Sequence, residues 1–323
     1  MNDAGTPQKI LVIKLGALGD FIQALGPMAA IKKHHPNAHL TILTTRPFET
    51  FANECGYFNE IWIDDRPKFI NLKNWINLRK KLNKQHFTRV YDLQNNDRTS
   101  FYFNLFKNNK KPEWVGTAAG ASHRNISAKR TAGHAFDGHV QTLALAGIKN
   151  VEIDTLDWMN GDLTTFALKA PYILLVPGCA PKHPEKRWPA EKYGRLAKII
   201  YSMGYQPVLI GTETEKEIAN VIAQICPESL NLTGQTDLQQ IASLAKTASG
   251  AIGNDTGPMH LIAATTCPCL VLFSGQSNPV RHAPKGKNIE ILQKENLKNL
   301  KSEDVIEKFR PRQTTSNQSS TMH

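Results

Sequence analysis

Long hydrophobic runs are what this sequence lacks most plainly. None approaches the ~20 apolar residues that a helix needs to cross a bilayer, which excludes a helical membrane-spanning role. The stretch from Met1 to Gln8 is polar and has no apolar segment of the kind a secretory signal uses, so a cytoplasmic location is expected. Cysteine is sparse and scattered, at Cys55, Cys179, Cys226, Cys267 and Cys269. Cys267-Pro268-Cys269 has one residue between its thiols, and no second Cys or His pair accompanies it. Reduced, mostly buried thiols are expected, with no zinc site, no other metal and no cofactor. The three-glycine fingerprint of dinucleotide-binding loops is missing too, which argues against a nicotinamide-dependent dehydrogenase. No signature of a nucleic-acid-binding module is present, so no nucleic-acid partner is expected.

What is present is an ordinary globular composition with an excess of positive charge. The 323 residues are 41% hydrophobic, enough for real cores and for two domains. Lysine and arginine number 39 against 28 acidic residues, a formal charge of +11, which favours an anionic partner. Strand-like and helix-like patterns alternate along the chain. Residues 9–13 read as a buried strand and 20–33 as a helix. Strands at 39–43, 61–63 and 90–93 follow, with helices at 47–55, 72–83 and from 99. Residues 117–133 read as an irregular loop, followed by a helix at 139–146. A second series opens with strand 172–176 and helix 190–203. It continues with strand 206–210, helices 215–225 and 237–246, and strands at 251–252, 270–273 and 289–292. This βα repetition implies parallel sheets covered by helices. The expected fold class is α/β, with two Rossmann-like parallel-sheet domains facing a cleft. The expected divisions are 1–165, 166–310 and a disordered tail at 311–323.

Three segments carry chemistry. Gly253-Asn254-Asp255-Thr256-Gly257-Pro258-Met259-His260 reads as strand, tight turn and helix start. Thr256 or Asp255 can cap that helix, and Pro258 suits its first turn. Free backbone N–H groups and the helix dipole favour a phosphate there, and Asp255 accepts from hydroxyls. Lys14-Leu15-Gly16-Ala17-Leu18-Gly19-Asp20 joins the first strand to the first helix. Gly16 and Gly19 let the backbone bend sharply and a ligand approach. Asp20 is either a helix cap or a carboxylate able to take a proton from a hydroxyl. Pro177-Gly178-Cys179-Ala180-Pro181-Lys182-His183-Pro184-Glu185-Lys186-Arg187-Trp188-Pro189 is a shaped loop. Its Lys182, Lys186 and Arg187 can hold a diphosphate and stabilise the charge on a leaving phosphate. The turn Asp92 to Asn96 is either an acceptor-side lining or an ordinary capped turn. His134 and His139 read as surface histidines, and Arg281-His282 can reach a nucleotide.

Together these motifs, in this order between residues 9 and 283, resemble glycosyltransferase family 9, the bacterial ADP-heptose:lipopolysaccharide heptosyltransferases. The resemblance implies the GT-B fold, with an active site between two Rossmann-like domains. It implies an inverting, metal-independent transfer of heptose from ADP-heptose to Kdo or heptose of the lipopolysaccharide inner core. Asp20 then matches the general base, and Lys14, Gly16 and Gly19 the acceptor loop. Lys182, Lys186, Arg187, Thr256 and Gly257 match the donor phosphate site, Asp255 and His260 the donor sugar site, and Glu215 and Thr236 the nucleoside site. An anionic lipopolysaccharide acceptor places the enzyme at the inner face of the inner membrane, where basic helices such as 72–83 favour peripheral association. The same fold also serves enzymes of other nucleotide sugars and noncatalytic sugar-nucleotide binders.

Overall fold

The computed structural model of the chain describes residues 7–67, 71–107, 111–179 and 183–312. The chain divides into two compact units, with the break between Asp154 and Thr155.

The first unit contains β1 (Lys9–Ile13), α1 (Leu18–His34), β2 (His39–Thr44), α2 (Glu49–Glu54), β3 (Glu60–Ile63) and α3 (Leu72–Lys84). It continues with β4 (Arg89–Asp92), α4 (Asp97–Phe103), β5 (Glu113–Gly116), β6 (His123–Arg124), α5 (Lys129–Ala132) and α6 (Ala135–Ala144). All its strand pairs are parallel, in the order β3-β2-β1-β4-β5-β6. The second unit contains β7 (Tyr172–Val176), α7 (Ala190–Ser202), β8 (Gln206–Leu209), α8 (Lys216–Ile225), β9 (Leu230–Asn231) and α9 (Leu238–Thr247). It ends with β10 (Gly250–Asn254), α10 (Gly257–Ala264), β11 (Cys269–Ser274), α11 (Pro279–His282), β12 (Ile289–Lys294) and α12 (Ser302–Lys308). Its sheet is parallel in the order β12-β11-β10-β7-β8-β9. Each unit therefore repeats one doubly wound topology, in which the chain leaves its first strand in one direction and returns to the other side.

Helices on both faces explain the continuous apolar strands. Ile10 to Ile13 and Ile173 to Leu175 have no measurable exposure. In α7 the stripe Tyr193, Leu196, Ala197 and Ile200 is buried against the second sheet. Trp188, just ahead of α7, packs edge-on to Tyr193 with centroids 4.7 Å apart. Its indole N–H donates to the Leu300 carbonyl at 3.1 Å.

Residues 117–133 are not wholly irregular. They contain β6 and α5, and β5 precedes them. β6 joins the sheet through two residue pairs only, Val115 with His123 and Gly116 with Arg124. The equally short β9 pairs at the other unit's edge. Strands this short at an edge carry no alternating pattern to read. Residues 155–170 group with the second unit. Gly161 N–H donates to Ser243 Oγ at 2.7 Å and Lys246 Nζ to the Met159 carbonyl at 2.5 Å, which ties the segment to α9. The expected disordered tail falls mainly on 313–323, outside the described residues. Arg312 within it is anchored, its amide donating to Ser249 O and its guanidinium to Lys246 O and Thr266 O.

One close approach can be tested directly. Gly26 in α1 faces the chain at Glu152, whose carbonyl oxygen would lie 1.9 Å from an added Cβ. Backbone must then move, so Gly26→Ala is expected to cost about 1–3 kcal/mol in urea unfolding. An unchanged unfolding midpoint would show that α1 is not packed this tightly.

Candidate functional site

The candidate residues gather where each sheet's strand order reverses. In the first unit that point lies beyond the carboxyl ends of β1 and β4. The Leu15 carbonyl accepts from Thr45 Oγ1 at 3.1 Å and from Arg66, and the Leu15 amide donates to Gln94 Oε1 at 2.9 Å. Gly16 has φ +114°, and a Cβ there would meet the Phe48 ring at 2.6 Å, so glycine is required. Over this loop opens a pocket of about 380 Å³. Arg66, Arg98, Gln94 and Asn96 form its polar side, and Pro47 and Phe48 its apolar side. The turn after β4 therefore both lines a pocket and caps a helix. Asn96 forms a capping box with Thr99, while the Asp92 carboxylate accepts from the Gln94 and Asn95 amides at 3.0 and 2.9 Å.

Asp20 lies in the first turn of α1 and is exposed. It is not the helix cap, because Ala17 occupies that position without a side-chain bond. Gly19 precedes it within the helix, and Gly16 lines the pocket. Lys14 is placed differently from the acceptor-contacting role its motif implied. Only 3% exposed, it donates from Nζ to the Leu93 carbonyl at 3.1 Å, below the loop. Burial pushes its amine pKa down, against the charges of Asp20 and Asp92. Asp92 is fully buried and its Oδ2 has no partner among the described residues. Burial pushes its carboxyl up to about 6, opposed by the Asn95 amide, Thr99, the Gln94 amide and Lys14. His134 and His139 are buried rather than on the surface. His134 caps α6 by accepting from the Phe136 amide. Burial, then Lys14 and Arg130, hold His139 well below the ordinary imidazole range.

In the second unit the reversal point lies beyond β7 and β10. Asn254, fully buried at the end of β10, joins the two loops. Its Nδ2 donates to the Pro177 and Gly178 carbonyls at 2.7 and 3.3 Å. Its Oδ1 accepts from the Trp188 amide at 3.2 Å and from the Tyr193 hydroxyl at 3.1 Å. Lys186, in the short 3₁₀ turn Pro184–Lys186, extends to Asp255, with Nζ 2.8 Å from Oδ2. Ser277 Oγ donates to the same oxygen at 2.5 Å. Neither Asp255 nor Thr256 caps α10 by its side chain. Thr256 holds the cap position without a side-chain bond, and Asp255 is turned to Lys186 instead. At the start of α10 the Gly257 N–H is thus not covered by a capping side chain, while Pro258 has no N–H and the Met259 amide donates to the Thr256 carbonyl at 3.1 Å. Arg187 is bonded to the Cys179 thiol, yet its Nε is buried with no partner among the described residues. A cation, an unpaired guanidinium donor and a helix N-terminus together suit an anionic group.

Glu215 packs against Gly178 of the loop that carries Lys186. Glu215 is buried, and its Oε2 accepts from the Thr212 amide at 2.8 Å and the Thr212 hydroxyl at 2.5 Å. Added Cβ atoms at Gly178 and Gly211 would meet Glu215 at 2.8 and 3.3 Å. The hydroxyls of Thr233 and Thr236 are buried with no partner among the described residues. Asp237, not Thr236, caps α9. A carboxylate and two unpaired hydroxyls can bind a polyhydroxylated or heterocyclic group. His260 is buried within α10. Arg281 and His282 lie in α11. Lys182 lies outside the described residues. Sequence reasoning missed Arg66, Arg98, Ser277 and the clamping role of Asn254. Ser277 follows β11 in a Gly-Gln-Ser-Asn-Pro turn, a strand-end signal that could have flagged it. The five cysteines are all buried and unpaired. Among the described residues no group of three or more His, Cys, Asp or Glu side chains could hold a metal ion.

A family model for glycosyltransferase family 9 (heptosyltransferase) matches residues 75–310. The chain is 32% identical over 127 residues to lipooligosaccharide heptosyltransferase 2 of Haemophilus influenzae, an alignment spanning 38% of this chain and 36% of that protein. The match thus spans about a third of that relative's length. Among solved structures, the ADP-heptose lipopolysaccharide heptosyltransferase II of Escherichia coli is similar with a TM-score of 0.70 and 22% identity, covering 93% of this chain and 97% of that one. A family 9 glycosyltransferase of Veillonella parvula is similar with a TM-score of 0.77 and 20% identity, covering 93% and 95%. At these identities the two structures establish the fold, which is of GT-B type.

The buried Asp92 makes a prediction about stability. Its folded pKa of about 6 lies above the ordinary 3.8, so its protonated form favours the folded state and its ionised form opposes it. That contribution is full below pH 4 and is lost as pH rises through about 6, by at most about 3 kcal/mol. Urea unfolding of wild type and Asp92→Asn between pH 4 and 7 should show the wild type losing stability relative to the variant. Parallel curves would contradict the burial of an ionisable carboxyl here.

Proposed function

The chain belongs to glycosyltransferase family 9, and from that membership we propose that it transfers heptose from ADP-heptose to Kdo or heptose of an inner-core lipopolysaccharide acceptor, with inversion and without a metal. The observation that carries the proposal is the second unit's cradle. Lys186, the Arg187 Nε and the start of α10 suit a diphosphate, with Asp255 beside them for sugar hydroxyls and Glu215 and Thr236 for the nucleoside. The similar proteins, an ADP-heptose lipopolysaccharide heptosyltransferase II and a lipooligosaccharide heptosyltransferase 2, support donor and acceptor of this kind.

The division of labour follows from the two units. The first, expected over 1–165 and ending at Asp154 in the structure, binds acceptor; Arg66 and Arg98 in its pocket suit carboxylate or phosphate groups. The second, expected over 166–310 and opening at Thr155, binds donor. Asp20 takes the proton from the acceptor hydroxyl as its oxygen attacks the anomeric carbon. The bond from that carbon to the diphosphate oxygen breaks on the opposite face, and ADP departs with the electron pair. Lys186, Arg187 and the α10 amides, with Thr256 and Gly257 at their head, meet the charge that a metal would otherwise neutralise. Lys14 supports the loop carrying Gly16 from beneath, rather than touching the acceptor. No helix among the described residues is long and apolar enough to cross a membrane. The lipid-borne acceptor places the enzyme on the inner face of the inner membrane as a peripheral protein.

A thermal-shift panel of nucleotide sugars tests the donor. ADP-heptose is expected to raise Tm more than UDP- or GDP-sugars, and stabilisation by a different nucleotide sugar would reassign it. Asp20→Asn is expected to keep donor binding and lose roughly 10²–10⁴-fold in turnover. Full activity of that variant would remove Asp20 from the chemistry.

A further inference from the structure

Helix α3 has the sequence LKNWINLRKKLNK, with five cations and no carboxylate. Trp75 and Leu82 are buried and fix it to the first unit. Asn83 Nδ2 donates to the Leu105 carbonyl at 2.9 Å and its Oδ1 accepts from the Lys107 amide at 2.9 Å, which fixes the side facing the end of α4. Two large apolar side chains on α3 nevertheless stay in water. Leu72 is 71% exposed and Ile76 is 52% exposed, one helical turn apart on the same side. Phe101 of α4, 40% exposed, packs edge-on to Trp75 with centroids 5.0 Å apart and extends the strip. Lys73, Lys80 and Lys84 stand along the neighbouring side of α3, all exposed. Lys81 does not join them, because its ammonium lies 4.1 Å from the centroid of the Trp62 ring.

An apolar strip bordered by lysines is the arrangement that rests at a bilayer surface. The aliphatic and aromatic groups enter the acyl boundary while the ammonium groups meet anionic headgroups. We propose that the exposed strip of Leu72, Ile76 and Phe101, with Lys73, Lys80 and Lys84 beside it, docks the first unit on an anionic phospholipid bilayer. The occupant is an anionic lipid surface rather than a protein because α3 carries five cations, three of them beside the strip, and no carboxylate of its own to form a complementary pair. The inference deepens the peripheral location proposed above and rests on it. Vesicle binding requires neither donor nor transfer, so the two readings fail separately.

The test is co-sedimentation of the full chain with vesicles of phosphatidylcholine alone and of phosphatidylcholine with 30% phosphatidylglycerol by design. The wild type is expected to bind the anionic vesicles and to be released by salt. Lys73→Gln with Lys80→Gln should weaken partitioning roughly thirtyfold. Leu72→Ser with Ile76→Ser should weaken it at least as much with little change in Tm, since these side chains are 71% and 52% exposed. Transfer to a delipidated, water-soluble acceptor should be unaffected in every variant. Undiminished binding of either double variant to anionic vesicles would overturn the proposal. So would a concentration-dependent dimer that these substitutions dissolve while vesicle binding never occurs.

Discussion

The contact between Lys186 and Asp255 is the constraint on which the proposed donor site of the second unit depends. The loop after β7 carries a cation whose side chain is 22% exposed, and the turn after β10 carries a carboxylate that is 8% exposed. Each would be costly alone in such a place. At 2.8 Å they satisfy one another, and Ser277 supplies a further donor to the same oxygen. Asn254 holds the backbones beneath them in register through four hydrogen bonds to residues 177, 178, 188 and 193. The pair is therefore a preformed seat. In the proposed donor site a diphosphate would replace the carboxylate as partner of Lys186 and free Asp255 to accept from sugar hydroxyls.

The first unit solves a different problem at the equivalent place. Its proposed base, Asp20, stays exposed, while a second carboxylate, Asp92, lies fully buried at the end of β4. Lys14 lies between strand end and loop, bonded to the Leu93 carbonyl and sensing both acids. Their environments are opposite, so the two carboxyls do opposite work. Asp92 is pushed toward its neutral form and organises the turn carrying Gln94 and Asn96. Arg66 and Arg98, borne by segments following β3 and β4, then set the sign of what enters the pocket.

Much of this was legible in the amino-acid order, and the failures have physical reasons. The runs 9–13 and 172–176 are apolar throughout because both faces of a parallel sheet are covered, and they read as strands at once. β6 and β9 were invisible, since two residues at an edge leave no period. The helix start at Thr256 was recognised, but its side-chain partners were not. Capping is a local contest, and it was decided by Lys186, 69 residues earlier in the chain. Lys14 stands in a ligand-loop motif, yet register puts its side chain under the loop. His134 and His139 lie in a polar, glycine-rich stretch that reads as surface, whereas α6 packs them inward. Arg66, Arg98 and Ser277 belong to no motif, and only the strand order brings them to the edges that matter.

The most direct test of the central contact is ADP affinity, measured by calorimetry on wild type, Lys186→Ala and Asp255→Asn. ADP carries the diphosphate but no sugar. Removing the cation should weaken it tenfold or more, whereas neutralising the competing carboxylate should leave binding as tight or tighter. Equal losses in the two variants, or none in Lys186→Ala, would contradict the exchange of partners at Lys186.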